Sequence, residues 1–381
     1  MNKKVAIVVC SWPPLGGGIG NNAYYHLKWL LKYNIKAEAF TPDYGQKKEV
    51  SDLPVNYLKV FLPLGKAGLM LDLLKKIKDF EIIHFYYPFF GSDLLICILK
   101  KIYPEKKILL HYQMDPIGQG VKKIIFWLYM KIFFGIIVKC VDKIAILSFD
   151  HCFNSYLAKF YKKYQNKFVE IPNGVETNFF TPGHKNEELL RLNNFSVQDK
   201  IIIFVGGLDE QHFFKGVPIL LKAFQQVSLR DPLAKLLIIG DGNLKSNFQD
   251  LARKLNLQDK VNFVGWVDND KLPDYYCLAD IFVLPSTEST ESFGIVVAEA
   301  QACGLPVIVS NWPGVRTTLI DGKTGFLVKP KDVNDLSEKI IKLLFDKQLS
   351  NYLGRNGRER SVNYYSWNQI INKLISIYQE L

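Results

Sequence analysis

The first 172 residues contain no arginine. They hold 25 lysines against 13 acids, a balance of +12, whereas residues 173–381 hold 23 basic and 24 acidic residues, a balance of −1. Arginine is the commonest donor to base edges, so its absence argues against sequence-specific nucleic-acid readout. Lysine without arginine leaves two readings: contact with an anionic partner such as a membrane surface, or lysine decoration with no partner at all. Paired cysteines are also missing. Cys10, Cys97, Cys140, Cys152, Cys277 and Cys303 show no disulfide or zinc spacing and sit mostly in apolar runs. They read as reduced core thiols of a cytoplasmic protein. Met1-Asn2-Lys3-Lys4 leads into six apolar residues, fewer than a signal peptide needs. The apolar stretch Ile124 to Val138 has 15 residues with Lys131 inside it, short of the ~20 that span a bilayer.

What is present is a large globular chain. With 381 residues and 48% hydrophobic content, two domains with ample cores are expected. Val5 to Cys10 reads as a first strand, followed by the loop Ser11 to Gly20 and a helix capped by Asn21-Asn22 and running to about Tyr33. Strand, glycine loop and helix form the phosphate-cradling unit of doubly wound folds. The spacing is not G-x-G-x-x-G, which argues against a dinucleotide cofactor. Further strands are expected at 37–40, 82–86, 107–110 and 144–147, with a helix at 69–78 and another from Ser148 through Tyr164. The stretch 124–138, preceded by Lys122-Lys123 and followed by Lys139 and Lys143, is either a helix lying in a membrane interface or a buried helix of the domain. Strand–loop–helix alternation restarts at Ile201, which puts the domain boundary near 172–185.

The second half is organised around Glu291-Ser292-Phe293-Gly294-Ile295-Val296-Val297-Ala298-Glu299. An apolar strand, Ile281 to Leu284, precedes it, and Pro285-Ser286-Thr287 breaks that strand. Helical spacing runs from Ile295 to Cys303 and stops at Gly304-Leu305-Pro306. Glu291 therefore lies in the loop before a helix and Glu299 inside it. The free amides near Phe293, Gly294, Ile295 and Val296 can receive a phosphate or a sugar hydroxyl. Two carboxylates flanking an anion site suit a ligand with phosphates in the middle and hydroxyl-rich groups at both ends, as in a nucleotide sugar. Two glutamates eight apart, taken alone, are also a common solvated pattern.

Ala279 to Ser286, Glu291-Ser292-Phe293-Gly294, Glu299-Ala300 and Gly304 to Ile308 together resemble the signature of retaining glycosyltransferases of GT-B family 4 (glycosyl transferases group 1). The resemblance covers nearly the whole chain, closely over 201–328 and more loosely over 5–150. It implies an α/β fold of two Rossmann-like domains facing a cleft: an acceptor-side domain at 1–172, a donor domain at 173–360, and a C-terminal helix at 361–381 crossing back to the first. It also implies transfer of a hexose-type sugar from a nucleotide-diphosphate sugar to a glycan or lipid-linked acceptor, in polysaccharide or glycolipid synthesis. No metal, other cofactor or nucleic acid is expected. Many members glycosylate lipid-linked acceptors, which adds weight to a cytoplasmic, peripheral-membrane placement.

Residue by residue, the resemblance assigns the sugar hydroxyls to Glu291 and the Phe293 and Gly294 backbone. The diphosphate falls to Lys215 and the Ile295 and Val296 amides, the ribose to Glu299, and the base to the backbone around Gly265 and Trp266. Gly16 and Gly17 of the first loop would touch donor phosphate or acceptor. Two positions depart from the pattern. Where the family carries an arginine beside the lysine, this chain has Gly207; His212 and Arg253 are the replacements considered. Where the family carries a histidine under the donor sugar, this chain has Gln113, aligned on Asp115, with His111 two residues earlier. Gln113 can donate a hydrogen bond but cannot take a proton. The residues grouped as catalytic are Glu291, Lys215, Gln113 and Asp115. Asp268-Asn269-Asp270 imitates a metal motif but reads as a helix cap. Other classes considered are a basic membrane- or nucleic-acid-binding module with a vestigial sugar site, and sugar epimerases or phosphorylases of related fold.

Overall fold

A computed structural model describes residues 3–13, 17–45, 52–64, 67–116 and 120–381. The chain divides into two units, Met1–Gly174 with Asn368–Leu381, and Val175–Trp367.

The first unit is built on a seven-stranded parallel sheet. Its strands are β1 (Val5–Val8), β2 (Ala37–Asp43), β3 (Val55–Lys59), β6 (Ile82–Tyr87), β7 (Lys107–Tyr112), β8 (Lys143–Ile146) and β9 (Phe168–Glu170), in the order β3-β2-β1-β6-β7-β8-β9. Between β3 and β6, β4 (Phe61–Leu64) and β5 (Ala67–Leu69) pair as a separate antiparallel ribbon. Every residue of β1 and of β6 is buried, as expected of strands covered by helices on both faces. The chain leaves β1 for β2 on one side and returns to β6 on the other. The loops after β1 and β6 thus flank the point where the strand order reverses, the usual ligand crevice of such sheets.

The second unit repeats the plan with six parallel strands: β10 (Lys200–Val205), β11 (Ala234–Ile239), β12 (Val261–Gly265), β13 (Ile281–Leu284), β14 (Val307–Ser310) and β15 (Gly325–Val328). Their order is β12-β11-β10-β13-β14-β15, so the reversal lies between β10 and β13. The last helix, Trp367–Glu380, belongs with the first unit from Asn368 onward. Its Tyr378 hydroxyl lies 2.6 Å from His84 Nδ1, and His84 Nε2 lies 3.0 Å from His111 Nδ1. His26 joins them through the Tyr86 hydroxyl, and all three imidazoles are buried.

Several sequence expectations are corrected. The first helix is Gly18–Lys32, with Gly17 at its cap. Asn22 lies inside it, buried, and its amide donates to Asn173 Oδ1. The helix expected at 69–78 shrinks to Leu73–Lys76, because Ala67–Leu69 is drawn into the ribbon. The helix expected from Ser148 to Tyr164 is two, Phe149–Phe153 and Ala158–Tyr164. Gly325–Val328 is the edge strand paired with β14. A helix at Lys347–Arg360 was not expected. The stretch around 124–138 is helical throughout, as Val121–Tyr129, a π-helical turn Met130–Phe134, and Gly135–Cys140. Among the described residues no helix is long and apolar enough to cross a membrane. All six cysteines are free thiols.

Candidate active site

The loops that follow β10 and β13 leave the sheet on either side of its reversal point. The β10 loop runs through Gly206-Gly207 into a short 3-10 turn, Glu210–Lys215. Asp209 caps that turn by accepting from the Gln211 and His212 amides at 2.8 and 3.1 Å. The two loops are tied together where the Thr287 amide donates to the Phe214 carbonyl at 2.7 Å. The next residue, Lys215, reaches across, and its Nζ donates to Glu291 Oε2 at 2.7 Å. Both side chains are largely enclosed, 12% and 14% exposed.

Gly294 then turns the chain into the helix Ile295–Ala302. Its φ of +77° is left-handed, and an added Cβ would sit 2.9 Å from Val315 Cγ2, so only glycine fits without strain. No side chain caps this helix. The Ile295 and Val296 amides have no acceptor within the helix, and the helix dipole places partial positive charge there. Phe293, buried beside them, packs edge-on against the Tyr365 ring at 5.3 Å.

One turn on, Glu299 Oε2 receives the hydroxyl of the fully buried Tyr276 at 3.1 Å. Burial pushes the Glu299 carboxyl up to about 7, against the Tyr276 hydrogen bond and the Lys215 charge, which both pull it down. Lys215 thus acts on both carboxylates. Sequence reasoning missed Tyr276: one of two adjacent tyrosines in the helix Leu272–Leu278, it gives no local sign of its role.

Gly207 is not filled by a distant arginine. The His212 imidazole lies where its Cβ would be, 2.7 Å from Nδ1, and Nδ1 is 2.9 Å from both Asp209 carboxylate oxygens. Burial raises the Asp209 carboxyl, but the His212 imidazole and the two capping amides outweigh it and hold the group below the usual range. Arg253 pairs instead with Asp250 on its own helix, Lys245–Lys254. Gly265 ends β12, and its carbonyl accepts from the Gly240 amide at 2.8 Å. Trp266 follows it, 74% exposed and open to a stacking partner. Asp268 caps no helix, a correction: its carboxylate lies 3.3 Å from the Trp266 indole nitrogen, and its carbonyl accepts from the Lys271 amide.

The remaining site residues lie in the first unit. Gly16 falls outside the described residues, and Gly17 caps the first helix. The Gln113 amide donates to the Tyr87 carbonyl at 3.0 Å. Its side chain is buried, and Nε2 finds no hydrogen-bond partner among the described residues. A buried donor left open is costly and marks a place for an acceptor. Asp115 is already engaged by the Tyr112 hydroxyl and by the Tyr156 amide at 3.1 Å. His111 is fully buried in the histidine stack, where burial pushes its imidazole down to about 3.

Two parallel α/β units, each with its loops at a strand-order reversal, are the architecture called GT-B. The whole chain superposes on solved structures of that fold. Sucrose-phosphate synthase from Thermosynechococcus elongatus matches with a TM-score of 0.78 at 22% identity, over 100% of this chain and 99% of the other. Anabaena HepE in complex with UDP and glucose matches with a TM-score of 0.77 at 17% identity, over 100% of both chains. Residues 185–360 match the family described as Glycosyl transferases group 1.

Among curated proteins, an uncharacterized glycosyltransferase of Methanocaldococcus jannaschii is 33% identical over 218 residues, covering 56% of this chain and 54% of the relative. A GDP-mannose-dependent alpha-(1-6)-phosphatidylinositol monomannoside mannosyltransferase of Mycobacterium tuberculosis is 30% identical over 209 residues, covering 54% of each. The chain spans about half the length of these curated relatives.

Proposed function

We propose that the chain is a retaining glycosyltransferase of GT-B family 4, moving a hexose-type sugar from a nucleotide-diphosphate sugar to a hydroxyl of a glycan or lipid-linked acceptor. The observation that carries this is the Lys215–Glu291 pair, held at 2.7 Å beside an uncapped helix start at the strand-order reversal. A cation, two free amides and a helix dipole converge there, as a diphosphate requires. The Anabaena neighbour holds UDP and glucose, and the mycobacterial relative is GDP-mannose-dependent, which supports a nucleotide-sugar donor.

In this reaction the bond between the anomeric carbon and the diphosphate oxygen breaks, and the nucleoside diphosphate leaves with the electron pair. Lys215 and the Ile295 and Val296 amides stabilise the charge that develops on it. The acceptor oxygen attacks the anomeric carbon from the same face. Its proton passes to the departing phosphate oxygen, so no protein base is needed at Gln113. Glu291 and the Phe293 and Gly294 backbone hold sugar hydroxyls, Glu299 the ribose, and Gly265-Trp266 the base. Lys215 and the amides neutralise the diphosphate, so turnover is independent of added metal. Six free thiols support a reducing, cytoplasmic setting.

The test is incubation with UDP- and GDP-linked hexoses, following nucleoside diphosphate release and the anomeric configuration of the product by NMR. An α-linked donor gives an α-linked product, unchanged by EDTA. An inverted product contradicts retention. Tight donor binding with neither transfer nor slow donor hydrolysis favours the vestigial binding module.

A further inference from the structure

We propose that the first unit docks on an anionic lipid surface through the helical run 121–140 and the lysine-rich helix packed beside it. This goes beyond the glycosyl-transfer reading and does not depend on it, since every residue involved lies outside the donor loops.

The run is apolar on two sides. Met130, Phe134, Ile137 and Val138 are buried in the unit's core. Away from that core, Val121, Ile124, Ile125, Leu128, Ile132 and Ile136 are exposed by between 43% and 72%, mostly at helical intervals of three and four. Trp127 among them is 52% exposed. A helix apolar all round needs a second apolar phase, and a patch this continuous marks an interaction surface.

The surrounding charge says which phase. The sequence has no acid from 116 to 141 and none from 151 to 169, but the two segments carry Lys122, Lys123, Lys131 and Lys139, then Lys159, Lys162, Lys163 and Lys167. The segments touch where the Phe134 and Phe160 rings pack at 5.7 Å. Between them lies an open cavity of about 420 Å³, lined by Ile132, Gly135, Ile136, Phe160 and Tyr164 together with Lys139, Lys159 and Lys163. No carboxylate lines it. The Lys159 ammonium sits over the Tyr156 ring at 4.0 Å, and none of these three lysines is in an ion pair among the described residues.

An apolar lining beside three uncompensated ammoniums is the complement of a lipid phosphate with its acyl chains. Protein interfaces are depleted in lysine, whereas membrane-surface helices pair lysine with an exposed apolar face. Exposed Lys131 and Lys139 keep the run in the interface plane. Trp127 is the side chain suited to the headgroup level.

The experiment is co-sedimentation of the full chain with vesicles of phosphatidylcholine alone and of phosphatidylcholine mixed with phosphatidylglycerol. Binding is expected only to the anionic vesicles, and it weakens at 1 M salt, where screening acts within ~3 Å. Lys139→Ala/Lys159→Ala/Lys163→Ala is expected to lose on the order of a hundredfold in partitioning. Ile124→Asp/Ile132→Asp, at exposed sites, keeps the circular dichroism spectrum and loses binding at every salt concentration. Brominated lipid quenches the fluorescence difference between the wild type and Trp127→Phe. Equal binding to both vesicles, or none, overturns the proposal. So does a dimer that Ile124→Asp/Ile132→Asp converts to monomer without vesicle binding, and so does capture of inorganic phosphate at the lysines by a chain that ignores vesicles.

Discussion

Lys215 Nζ lies 2.7 Å from Glu291 Oε2, although 76 residues separate them. The pair joins the loops of β10 and β13, and the Lys215 charge also pulls on Glu299. The lysine is held in place by Glu291, the carboxylate that the proposed reading gives to the sugar. On the proposed reading, a diphosphate at the Ile295 and Val296 amides gives Lys215 a second anionic partner.

Lys215→Ala removes the cation that reaches Glu291 beside this helix start. Its kcat/KM for the donor is expected to fall about 10²–10³-fold, the size of losing one preorganised donor to a developing anion. Glu291→Gln keeps a hydrogen-bonding group for the sugar and is expected to lose less. Equal, small losses in both variants would place the diphosphate elsewhere.

Glu299 supplies the pH signature. Its carboxyl is raised to about 7, so in the folded protein it is largely protonated below that pH and ionised above it. A carboxylate holds ribose hydroxyls better than the neutral acid, so donor KM should fall as pH rises through about 7. For stability the sign is opposite. Between the unfolded value of 4.5 and about 7 the native state binds more protons, so this group's contribution to stability declines as pH rises through that window. Glu299→Ala raises donor KM and flattens its pH profile. Tyr276→Phe removes the hydrogen bond to Glu299 and raises KM less. A KM unchanged by Glu299→Ala removes the ribose assignment.

Gly207 and His212 form a size-matched pair. An arginine placed at 207 alone meets the imidazole at 2.7 Å and must expel it from Asp209. Gly207→Arg is expected to weaken donor binding at least tenfold. Gly207→Arg/His212→Ala, which opens the space, is expected to recover most of it. Titration calorimetry on both reads this directly; undiminished binding by the single variant would show that the His212 position is not fixed.

The histidine stack makes the first unit acid-sensitive. Burial holds His26, His84 and His111 below their ordinary value, and the His111 charge adds to the effect on the other two. The unfolded chain takes these protons near 6.5 and the native state does not. The resulting stability is full above pH 6.5 and is lost as pH falls toward about 3. Each group contributes a slope of about 1.4 kcal/mol per pH unit within its window. Urea midpoints should fall steeply between pH 7 and 5 and less steeply in His84→Phe. Equal slopes in the two proteins would contradict it.

Strands buried on both faces were the most legible elements. Ile201 to Val205, Ile281 to Leu284 and Val307 to Val309 are continuous apolar runs, and all three lie in the second sheet. The turn into the helix at 295 was equally plain, because Gly294 and the apolar spacing after it agree. The helix Lys347–Arg360 was hidden by Gly354 and Gly357, which look like breakers. Gly354 is instead a packing contact, since an added Cβ would sit 2.2 Å from the Gly304 carbonyl oxygen. The helix at 69–78 is shortened to Leu73–Lys76 because the ribbon partner Phe61–Leu64 overrides the apolar spacing at its start. Long-range pairings carried no local trace. Neither the Lys215–Glu291 contact, nor His212 on Gly207, nor the meeting of His26, His84, His111 and Tyr378 can be read from spacing, because each joins residues that only the fold brings together.

The most direct measurement is calorimetric titration of UDP, GDP and their hexose conjugates into the wild type, Lys215→Ala and Glu299→Ala, each in EDTA. One nucleotide family binding the wild type, and weakened at least tenfold in both variants, is the expected result. Wild-type affinity retained in Lys215→Ala, or no binding of any nucleotide to the wild type, would contradict a donor site built on Lys215 and the 295–302 helix.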